Sequence, residues 1–291
     1  MNPKIGFHVS IAGAISNSVD NASKIGCRAF QIFTRNPRGW IAKPLLENDI
    51  KEFQTKLARN KIQRDSVIVH MPYLPNFAAP DGHMYEKSVD LFREEIERCS
   101  SLGVAYLVIH LGSHLGKGQK NGTKQLVKAC NHILDHNKSS DNKKNSVPVM
   151  VLLENGSGQK NTIGSSFEEI RSILDELNSK VFGVCLDTCH AFASGYDLRN
   201  KAAVVKMLDH FDKIIGLKEL KLIHMNDSKT DLHSKIDRHE HIGLGKIGKE
   251  GFVSLLHDKR ILNLPIIMET PIDNKRSDLD NLTVVLNFIN Q

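Results

Sequence analysis

Short apolar runs, separated by longer segments of helical periodicity, dominate the pattern of hydrophobic and polar positions along the chain. Each run spans three to five residues and has the composition of a strand that is buried on both faces. The runs are Ile5–Val9, Ala29–Phe33, Val67–Val69, Tyr106–Ile109, Val149–Leu153, Phe182–Leu186, Leu220–Ile223 and Pro265–Met268.

The segments between these runs predict helices. Apolar side chains recur along Glu86–Leu102 with the spacing of one helix face, and Ser166 with Glu169 has the spacing of a capping box at a helix start. Lys201–Leu217 and Arg276–Ile289 are further candidates. Strands that alternate with helices favour a parallel sheet, and eight such units in 291 residues predict an α/β protein with a (β/α)8 TIM barrel. A doubly wound open sheet is the alternative.

The sequence predicts one domain over residues 1–291. Its best candidate linker, Asn137–Ser146, lies between a predicted helix and the Val149 run, so we expect a surface loop within that domain. No apolar stretch approaches the roughly 18 residues that span a bilayer, and His8 stands too early for a secretion signal. Five scattered cysteines are too few for a disulfide framework. We therefore expect a protein of the reducing cytoplasm with no membrane contact.

Residues that commonly bind metals stand directly after the third to the eighth apolar runs. In chain order they are His70, His110, Glu154, Asp187, His224 and Glu269. Their separations of 40, 44, 33, 37 and 45 residues are each compatible with one strand–helix unit. In a (β/α)8 barrel the carboxyl ends of all strands meet on one face, where active sites are built. One histidine at a strand end is usually structural, but six metal-binding residues in the same register predict a shared metal site.

Three further residues extend this predicted site. His190 follows Asp187 by three residues, and Asp237 and His239 stand two residues apart, so both can face the same way in an extended segment. Five histidines and four carboxylates are more than one ion needs, and bridging carboxylates suit two or three. Mixed nitrogen and oxygen donors favour zinc or manganese over magnesium or calcium. Such a cluster suits hydrolysis, because it lowers the pKa of a bound water and neutralises charge on the attacking and leaving oxygens.

Other features of the sequence are weaker. The segment Gly243–Gly248 matches the GxGxxG pattern of dinucleotide sites, but no buried strand precedes it. We expect a loop with close backbone approach there, with Lys246 or Lys249 near a phosphate. Cys185 and Cys189 are spaced CxxxC, and we interpret them as small packing residues. The formal charge of +6 is compatible with a polyanionic partner.

Three longer motifs resemble the signatures of the endonuclease IV family, the zinc-dependent apurinic/apyrimidinic endonucleases of DNA base-excision repair. They are Gly183–Leu198, His224–Asp227 and Asp237–Gly245. The similarity starts at Ile5–Ser10 and continues through Phe33–Trp40 to Met268–Thr270, so it covers nearly the whole chain. It implies a TIM barrel with a trinuclear zinc site.

Matched motif by motif, the resemblance assigns the nine candidate residues to three zinc ions. His70, His110 and Glu154 would hold the first; Glu154, Asp187, His224 and Glu269 the second, with Glu154 bridging; and His190, Asp237 and His239 the third. Manganese is an alternative at one of these sites. Glu154 and Glu269 are expected to be catalytic as well.

The resemblance also implies the reaction and the partner. A hydroxide held between zinc ions attacks the phosphorus 5′ to an abasic site, leaving a 3′-hydroxyl and a 5′-deoxyribose phosphate, and blocked 3′ ends are trimmed. The partner is double-stranded DNA, which the family bends while it flips out the abasic nucleotide. Arg38, Trp40, Tyr73 and Leu74 occupy the matching DNA-contacting loop positions. The family is usually monomeric.

One departure from the family and two rival functions remain. The family usually runs Gly-Gln-Gly where this chain has Gly158-Gln159-Lys160, so Lys160 either adds a phosphate contact or alters that loop. The first rival is a metal-dependent TIM-barrel sugar isomerase or epimerase, in which Asp237 and His239 would have no role. The second is a DNA-binding barrel without catalysis, which would not need so many metal donors.

Overall fold

Ten β-strands lie in the part of the chain that the computed structural model describes, namely residues 3–140, 147–177 and 180–291. They are β1 (Ile5–Phe7), β2 (Phe30–Ile32), β3 (Val67–His70), β4 (Tyr106–His110), β5 (Met150–Glu154), β6 (Phe182–Asp187), β7 (Leu220–His224), β8 (Asp227–Ser228), β9 (His239–Glu240) and β10 (Ile266–Met268). Strands β1–β7 and β10 form a parallel sheet in the order β1-β10-β7-β6-β5-β4-β3-β2, whereas β8 and β9 pair with each other in antiparallel fashion. All eight predicted runs therefore form strands.

The parallel sheet closes on itself between β1 and β2. The Val9 N–H donates to the Gln31 carbonyl at 2.8 Å, and His8 pairs with Gln31 in parallel register. Gly6 permits this approach, because a Cβ at that position would stand 1.7 Å from the carbonyl oxygen of Ala29. The predicted (β/α)8 barrel is confirmed, and the open sheet is excluded.

Helices connect the barrel strands. Within the described ranges they are α1 (Asn17–Ile25), α2 (Glu47–Arg59), α3 (His83–Leu102), α4 (Gln119–Ser140), α5 (Phe167–Leu177), α6 (Thr188–Ser194), α7 (Lys201–Ile214), α8 (Gly248–Leu256) and α9 (Asp278–Ile289). None of these helices combines the length and hydropathy needed to cross a bilayer.

The predicted helices occur, with shifted ends. The helix predicted from Arg276 begins at Asp278, because Ser277 and Asp280 form a reciprocal capping box there. The helix predicted over Lys201–Leu217 ends at Ile214 and is followed by a short 3-10 turn, Leu217–Glu219. No bounds were predicted for α1, α2, α4, α6 and α8.

The predicted surface loop Asn137–Ser146 starts inside a helix. Helix α4 extends to Ser140, so the loop prediction is wrong for residues 137–140. Residues 141–146 lie outside the described residues.

The apolar core has two layers. The inner layer lies inside the barrel and consists of Ala29, Ile68, Val108, Leu152, Cys185, Leu222 and Ile267. The outer layer fills the space between the strands and the helices, with large side chains such as Phe30, Phe92 and Phe211. Because adjacent strand residues face opposite layers, the residue two positions after each member of the inner layer also points into the barrel.

Candidate metal centre

A ring of polar side chains lies directly above the inner layer of the barrel. Two residues beyond each member of that layer stand Gln31, His70, His110, Glu154, Asp187, His224 and Glu269, and His8 has the same relation to Gly6. Because strand residues alternate between faces, these positions also point into the barrel. All six strand-end residues that the sequence predicted as metal donors belong to this ring.

The first group of donors lies on the neighbouring strands β3, β4 and β5. Nε2 of His70 is 3.3 Å, and Nε2 of His110 is 3.0 Å, from Oε2 of Glu154. One ligand atom from each residue lies within 4.8 Å of the others, which is close enough to share one cation. His110 is the exposed member, so this group opens to solvent.

The second group consists of Glu154, Asp187, His224 and Glu269, whose ligand atoms also lie within 4.8 Å of one another. Nδ1 of His224 is 2.8 Å from Oε1 of Glu154 and 3.6 Å from Oε2 of Glu269. Glu154 therefore turns Oε2 toward the first group and Oε1 toward the second. A carboxylate that bridges two cations has this arrangement.

The third group lies beside the ring and contains His190, Asp237 and His239. The carboxylate of Asp237 is 3.2 Å from Nε2 of His190 and 3.3 Å from Nε2 of His239. His190 reaches this place through a helix-capping turn, because the Asp187 side chain accepts its main-chain N–H at 2.7 Å as α6 begins. Ligand atoms of Asp187, His190 and His239 also lie together, so the nine predicted donors form one continuous cluster.

Four of the five imidazoles are oriented through one ring nitrogen. Nδ1 of His70, His190 and His239 faces a main-chain carbonyl at 2.7, 2.9 and 3.0 Å, and Nε2 of His224 faces the Gln31 amide oxygen at 2.8 Å. A nitrogen that donates in this way leaves a lone pair on the opposite nitrogen of a neutral ring. Here each opposite nitrogen faces a carboxylate. This contact is repulsive unless a proton or a cation lies between the two groups.

Such second hydrogen bonds are typical of metal-binding histidines, because they fix the ring orientation and the tautomer. Nε2 of His239 also supports a cation, since this buried atom has no hydrogen-bond partner in the described residues. The nine donors therefore fit zinc, which prefers imidazole and carboxylate ligands.

The same contacts shift pKa values within the cluster. Burial lowers the pKa of His239, but the Asp237 carboxylate 3.3 Å from its Nε2 and the charges of the other nearby carboxylates raise it to about 9. Burial raises the pKa of Glu154, yet the imidazoles of His110 and His224 outweigh burial and hold it well below its usual range. Protons on the imidazoles thus occupy the positions that a bound cation would take.

Three amide side chains that the sequence did not predict hold the carboxylates in place. The Gln31 amide donates to Glu269 at 2.7 Å, and the Asn226 amide donates to Asp187 at 2.6 Å. Asn155 accepts the main-chain N–H of Asp187 at 2.7 Å and donates to its carbonyl at 3.1 Å. Strand alternation was the signal that could have found Gln31, because it stands in the same inward register as the predicted donors.

The two cysteines near the cluster are buried, as their predicted packing role requires. The thiol of Cys185 lies near Glu154 and His224, and that of Cys189 lies near Asp237 and His239, so both approach the donor groups closely. Burial raises the pKa of Cys185 to about 12 and also raises the pKa of Cys189. Both thiols are therefore protonated at neutral pH, which makes them weak ligands.

The predicted DNA-contacting residues lie on the loops that follow β2 and β3, at the same end of the barrel as the cluster. Tyr73 is 61% exposed, and its ring centre is 5.2 Å from that of Phe33, which packs against His70. Arg38 is exposed, Leu74 is half-buried, and the half-buried Trp40 lies under the ammonium group of Lys87. Phe33 thus joins Tyr73 to the cluster.

Hydrogen bonds tie these loops to the barrel. The Tyr73 N–H donates to the Pro37 carbonyl at 3.1 Å, which joins the β2 loop to the β3 loop. The carboxylate of Glu95 in α3, which is fully buried, accepts from the Thr34 hydroxyl at 2.7 Å and from the Arg35 guanidinium. These hydrogen bonds fix the two loops that carry Arg38, Trp40, Tyr73 and Leu74, which we call the rim.

Lys246 or Lys249 was expected near a phosphate, and Lys160 was expected either to contact phosphate or to alter its loop. Lys160 is exposed in the loop after β5. The ammonium group of Lys246 lies 3.4 Å from Asp231, and that of Lys249 lies 5.8 Å from the ring centre of Phe288. Contact with phosphate stays a prediction for all three.

Similar known sequences match almost the entire chain. A family described as a xylose isomerase-like TIM barrel matches residues 19–287. A probable endonuclease 4 of Nitrosopumilus maritimus is 49% identical over 98% of this chain and 99% of its own length. One of Cenarchaeum symbiosum is 50% identical over 96% of this chain and 97% of its own length.

Solved structures agree with these relatives. Endonuclease IV from Thermus thermophilus superposes with a TM-score of 0.83 at 31% identity, over 99% of both chains. A D-tagatose 3-epimerase-like protein superposes with a TM-score of 0.72 at 18% identity, over 99% of this chain and 98% of its own. The second similarity is one of fold alone.

Proposed function

The chain belongs to the endonuclease IV family, and we propose that it is a zinc-dependent enzyme that hydrolyses the DNA phosphodiester 5′ to an abasic site. The products would be a 3′-hydroxyl and a 5′-deoxyribose phosphate, and the same site would clear blocked 3′ ends. We propose that it acts as a monomer with one domain. The observation that carries this proposal is the third donor group, His190, Asp237 and His239, joined to the two groups at the strand ends. A sugar epimerase with one or two ions would leave that group without a role.

The proposed mechanism assigns the nine donors to three zinc ions. Zinc bound there would supply the positive charge that attracts phosphate oxygens and lowers the pKa of a water. The chain's own carboxylates determine where that chemistry occurs. Glu154 turns one oxygen to each of two groups, while Gln31 and Asn226 hold Glu269.

Glu154 and Glu269 are expected to act as ionised carboxylates. Burial raises the pKa of each, but nearby imidazoles outweigh burial and keep both pKa values well below the usual range. Both carboxylates are therefore ionised at neutral pH. Because carboxylates with so low a pKa accept protons weakly, we assign to them the placement of the zinc ions that would lower the pKa of the attacking water.

The rim would recognise the DNA. We propose that Tyr73 and Leu74 fill the gap that the flipped abasic nucleotide leaves in the base stack, and that Arg38 and Trp40 support the distorted backbone. The exposure of Tyr73 beside the cluster supports this, since stacking on an aromatic ring contributes about 1–3 kcal/mol per base. Lysines and arginines outside the cluster would follow the phosphates, in keeping with the net charge of +6.

The first test is the nicking of a DNA duplex that contains one tetrahydrofuran abasic analogue, with and without a chelator. This analogue cannot undergo β-elimination, so only hydrolysis cuts it. We expect one cut on the 5′ side of the analogue that leaves a 3′-hydroxyl and disappears with the chelator. A folded, zinc-loaded protein that leaves the duplex intact would instead direct attention to the sugar epimerases.

The second test separates cleavage from binding. Glu154→Gln should abolish cleavage and retain part of the affinity for abasic DNA, because it changes the shared carboxylate and leaves the rim intact. Glu250→Gln makes the same chemical change at an exposed position of α8 and should behave as wild type. Full-rate cleavage by Glu154→Gln would refute the proposed site.

A further inference from the structure

The glycine-rich segment Gly243–Gly248 has no role in the function proposed above. It follows β9, a two-residue strand that pairs in antiparallel fashion with β8, and it leads into α8. A dinucleotide site places its glycines after a buried parallel strand, and the segment differs from that pattern. Its main-chain N–H groups converge instead on a side chain of the protein itself, the carboxylate of Asp227.

Asp227 is fully buried and accepts four main-chain hydrogen bonds. Oδ2 accepts from the N–H groups of Gly243 and Gly245, both at 2.9 Å. Oδ1 accepts from those of Ser228 at 2.8 Å and Ile247 at 3.0 Å. A helix N-terminus attracts anions, and here Asp227 supplies the anion at the start of α8. Both of its oxygens are committed to N–H donors.

The loop also approaches Asp227 too closely for a side chain. A Cβ at Gly245 would stand 2.4 Å from the carbonyl oxygen of Ser228 and 2.5 Å from Oδ1 of Asp227. The N–H of Lys246 donates to the same Ser228 carbonyl at 2.7 Å. The glycine at position 245 is thus explained by its contact with Asp227.

The segment between Asp227 and this loop carries two donors of the third group. Ser228 pairs with His239 across β8 and β9, and the Lys229 N–H donates to the Arg238 carbonyl at 2.8 Å. His239 is therefore held on one side by the strand pair, and the chain beyond it is held by three of the four hydrogen bonds to Asp227, those from Gly243, Gly245 and Ile247. Asp237 lies in the same segment, two residues earlier.

We infer that Asp227 is a positioning residue for the third donor group: it fixes the segment that carries Asp237 and His239 and thereby allows His190, Asp237 and His239 to share one zinc ion. The inference rests on the proposed zinc site. The other two groups take their donors from the barrel strands, which are fixed without Asp227. Loss of Asp227 should therefore lower the affinity for the zinc ion of the third group and leave the affinity for the other two ions unchanged.

The test is zinc content at limiting free zinc, measured by metal analysis after dialysis against a zinc buffer. An amide in Asp227→Asn keeps one acceptor oxygen and turns its NH2 group toward two of the four N–H donors. Loss of a residue that orients metal ligands typically costs about 10- to 100-fold in metal affinity. We expect Asp227→Asn to hold one zinc fewer than wild type and to regain it as free zinc is raised.

Gly245→Ala is the second variant, since it keeps the carboxylate and disturbs only the approach of the loop. At limiting free zinc, both variants should have the same zinc content as His239→Ala, which removes a donor of the same group. The double variant Asp227→Asn/His239→Ala should lose no more zinc than His239→Ala alone. Glu95→Gln is the control, because it removes a buried carboxylate that holds a different loop, and its zinc content should be that of wild type.

Wild-type zinc affinity in both Asp227→Asn and Gly245→Ala would overturn the inference, as would a loss of zinc from all three groups together. If Asp227→Asn does not fold, Gly245→Ala decides. A residue with only a structural role would lower the melting temperature of the variant and leave its zinc content unchanged. No DNA is present in this experiment, so its outcome does not depend on whether the chain cuts abasic sites.

Discussion

The buried carboxylate of Glu95 offers a direct test of how the rim is held in place. Its side chain has no exposed surface, and that of Arg35, which donates to it, is 1% exposed. Thr34 donates to the same carboxylate at 2.7 Å, and Arg98 bridges from α3 to the carbonyls of Thr34 and Lys43 at 2.6 and 3.0 Å. This network attaches the loop that carries Arg38 and Trp40 to α3.

Glu95→Gln leaves the Arg35 guanidinium buried with less counter-charge. Removal of one partner of a buried ion pair costs about 3–5 kcal/mol. The glutamine retains one acceptor oxygen, and Glu94 remains 2.9 Å from Arg35, so the lower end of that range applies. We expect a loss of about 3 kcal/mol in the free energy of unfolding, measured by denaturant titration, together with weaker binding of abasic DNA.

Glu94→Gln is the matched control, since it removes the other carboxylate partner of Arg35. The Glu94 side chain is 54% exposed, and an exposed ion pair contributes less than about 1 kcal/mol. If Glu95→Gln unfolds at the same denaturant concentration as wild type, or if Glu94→Gln costs as much, burial is not what makes this contact important and the reasoning fails.

Three further predictions concern the rim, the amides and the protons of the cluster. Tyr73→Ala should change the free energy of unfolding by less than about 0.5 kcal/mol, because the ring is largely exposed. The same variant should raise KM for abasic duplex about tenfold or more. Unchanged nicking kinetics would refute the proposed contact of Tyr73 with DNA. Gln31→Leu removes the amide that donates to Glu269 and accepts from His224, so zinc affinity, measured by chelator competition, should fall about 10- to 100-fold; equal affinity would contradict this. In chelator-stripped protein, the pKa of His239 is raised from 6.5 to about 9, so the folded state binds the extra proton. The stability that this proton contributes is fully present below pH 6.5 and is lost as the pH rises to 9, so the free energy of unfolding from denaturant titrations should fall by up to about 3 kcal/mol. Zinc-loaded protein should show no such fall. A free energy of unfolding that does not change with pH in zinc-free protein would refute the raised pKa of His239.

The barrel and most of the donor cluster could be predicted from the sequence because strand period and strand ends are local features. His70 and Glu269 directly follow runs of apolar residues, and a parallel barrel brings all such ends to one face. His190 could be predicted for a similar reason, since it lies within one helical turn of Asp187.

The supporting contacts could not be predicted in the same way. Gln31 is not a common metal ligand, so its inward register attracted no attention. Asp227 acts through main-chain N–H groups that no side chain pattern reveals. Strands β8 and β9 have two residues each, too few to show a period, and the start of α8 depends on that same buried carboxylate.

The register of the barrel strands has a consequence for folding fidelity. His110 stands opposite Glu154 on β4 and β5, and Asp187 stands opposite His224 on β6 and β7. A slip of one residue between such strands would turn the donors of the shifted strand toward the helices. A misfolded barrel of this kind would keep nearly native helix content but would fail to bind zinc. Zinc uptake by refolded protein therefore measures only the molecules with the correct strand register, whereas circular dichroism would detect the correct and the shifted molecules alike.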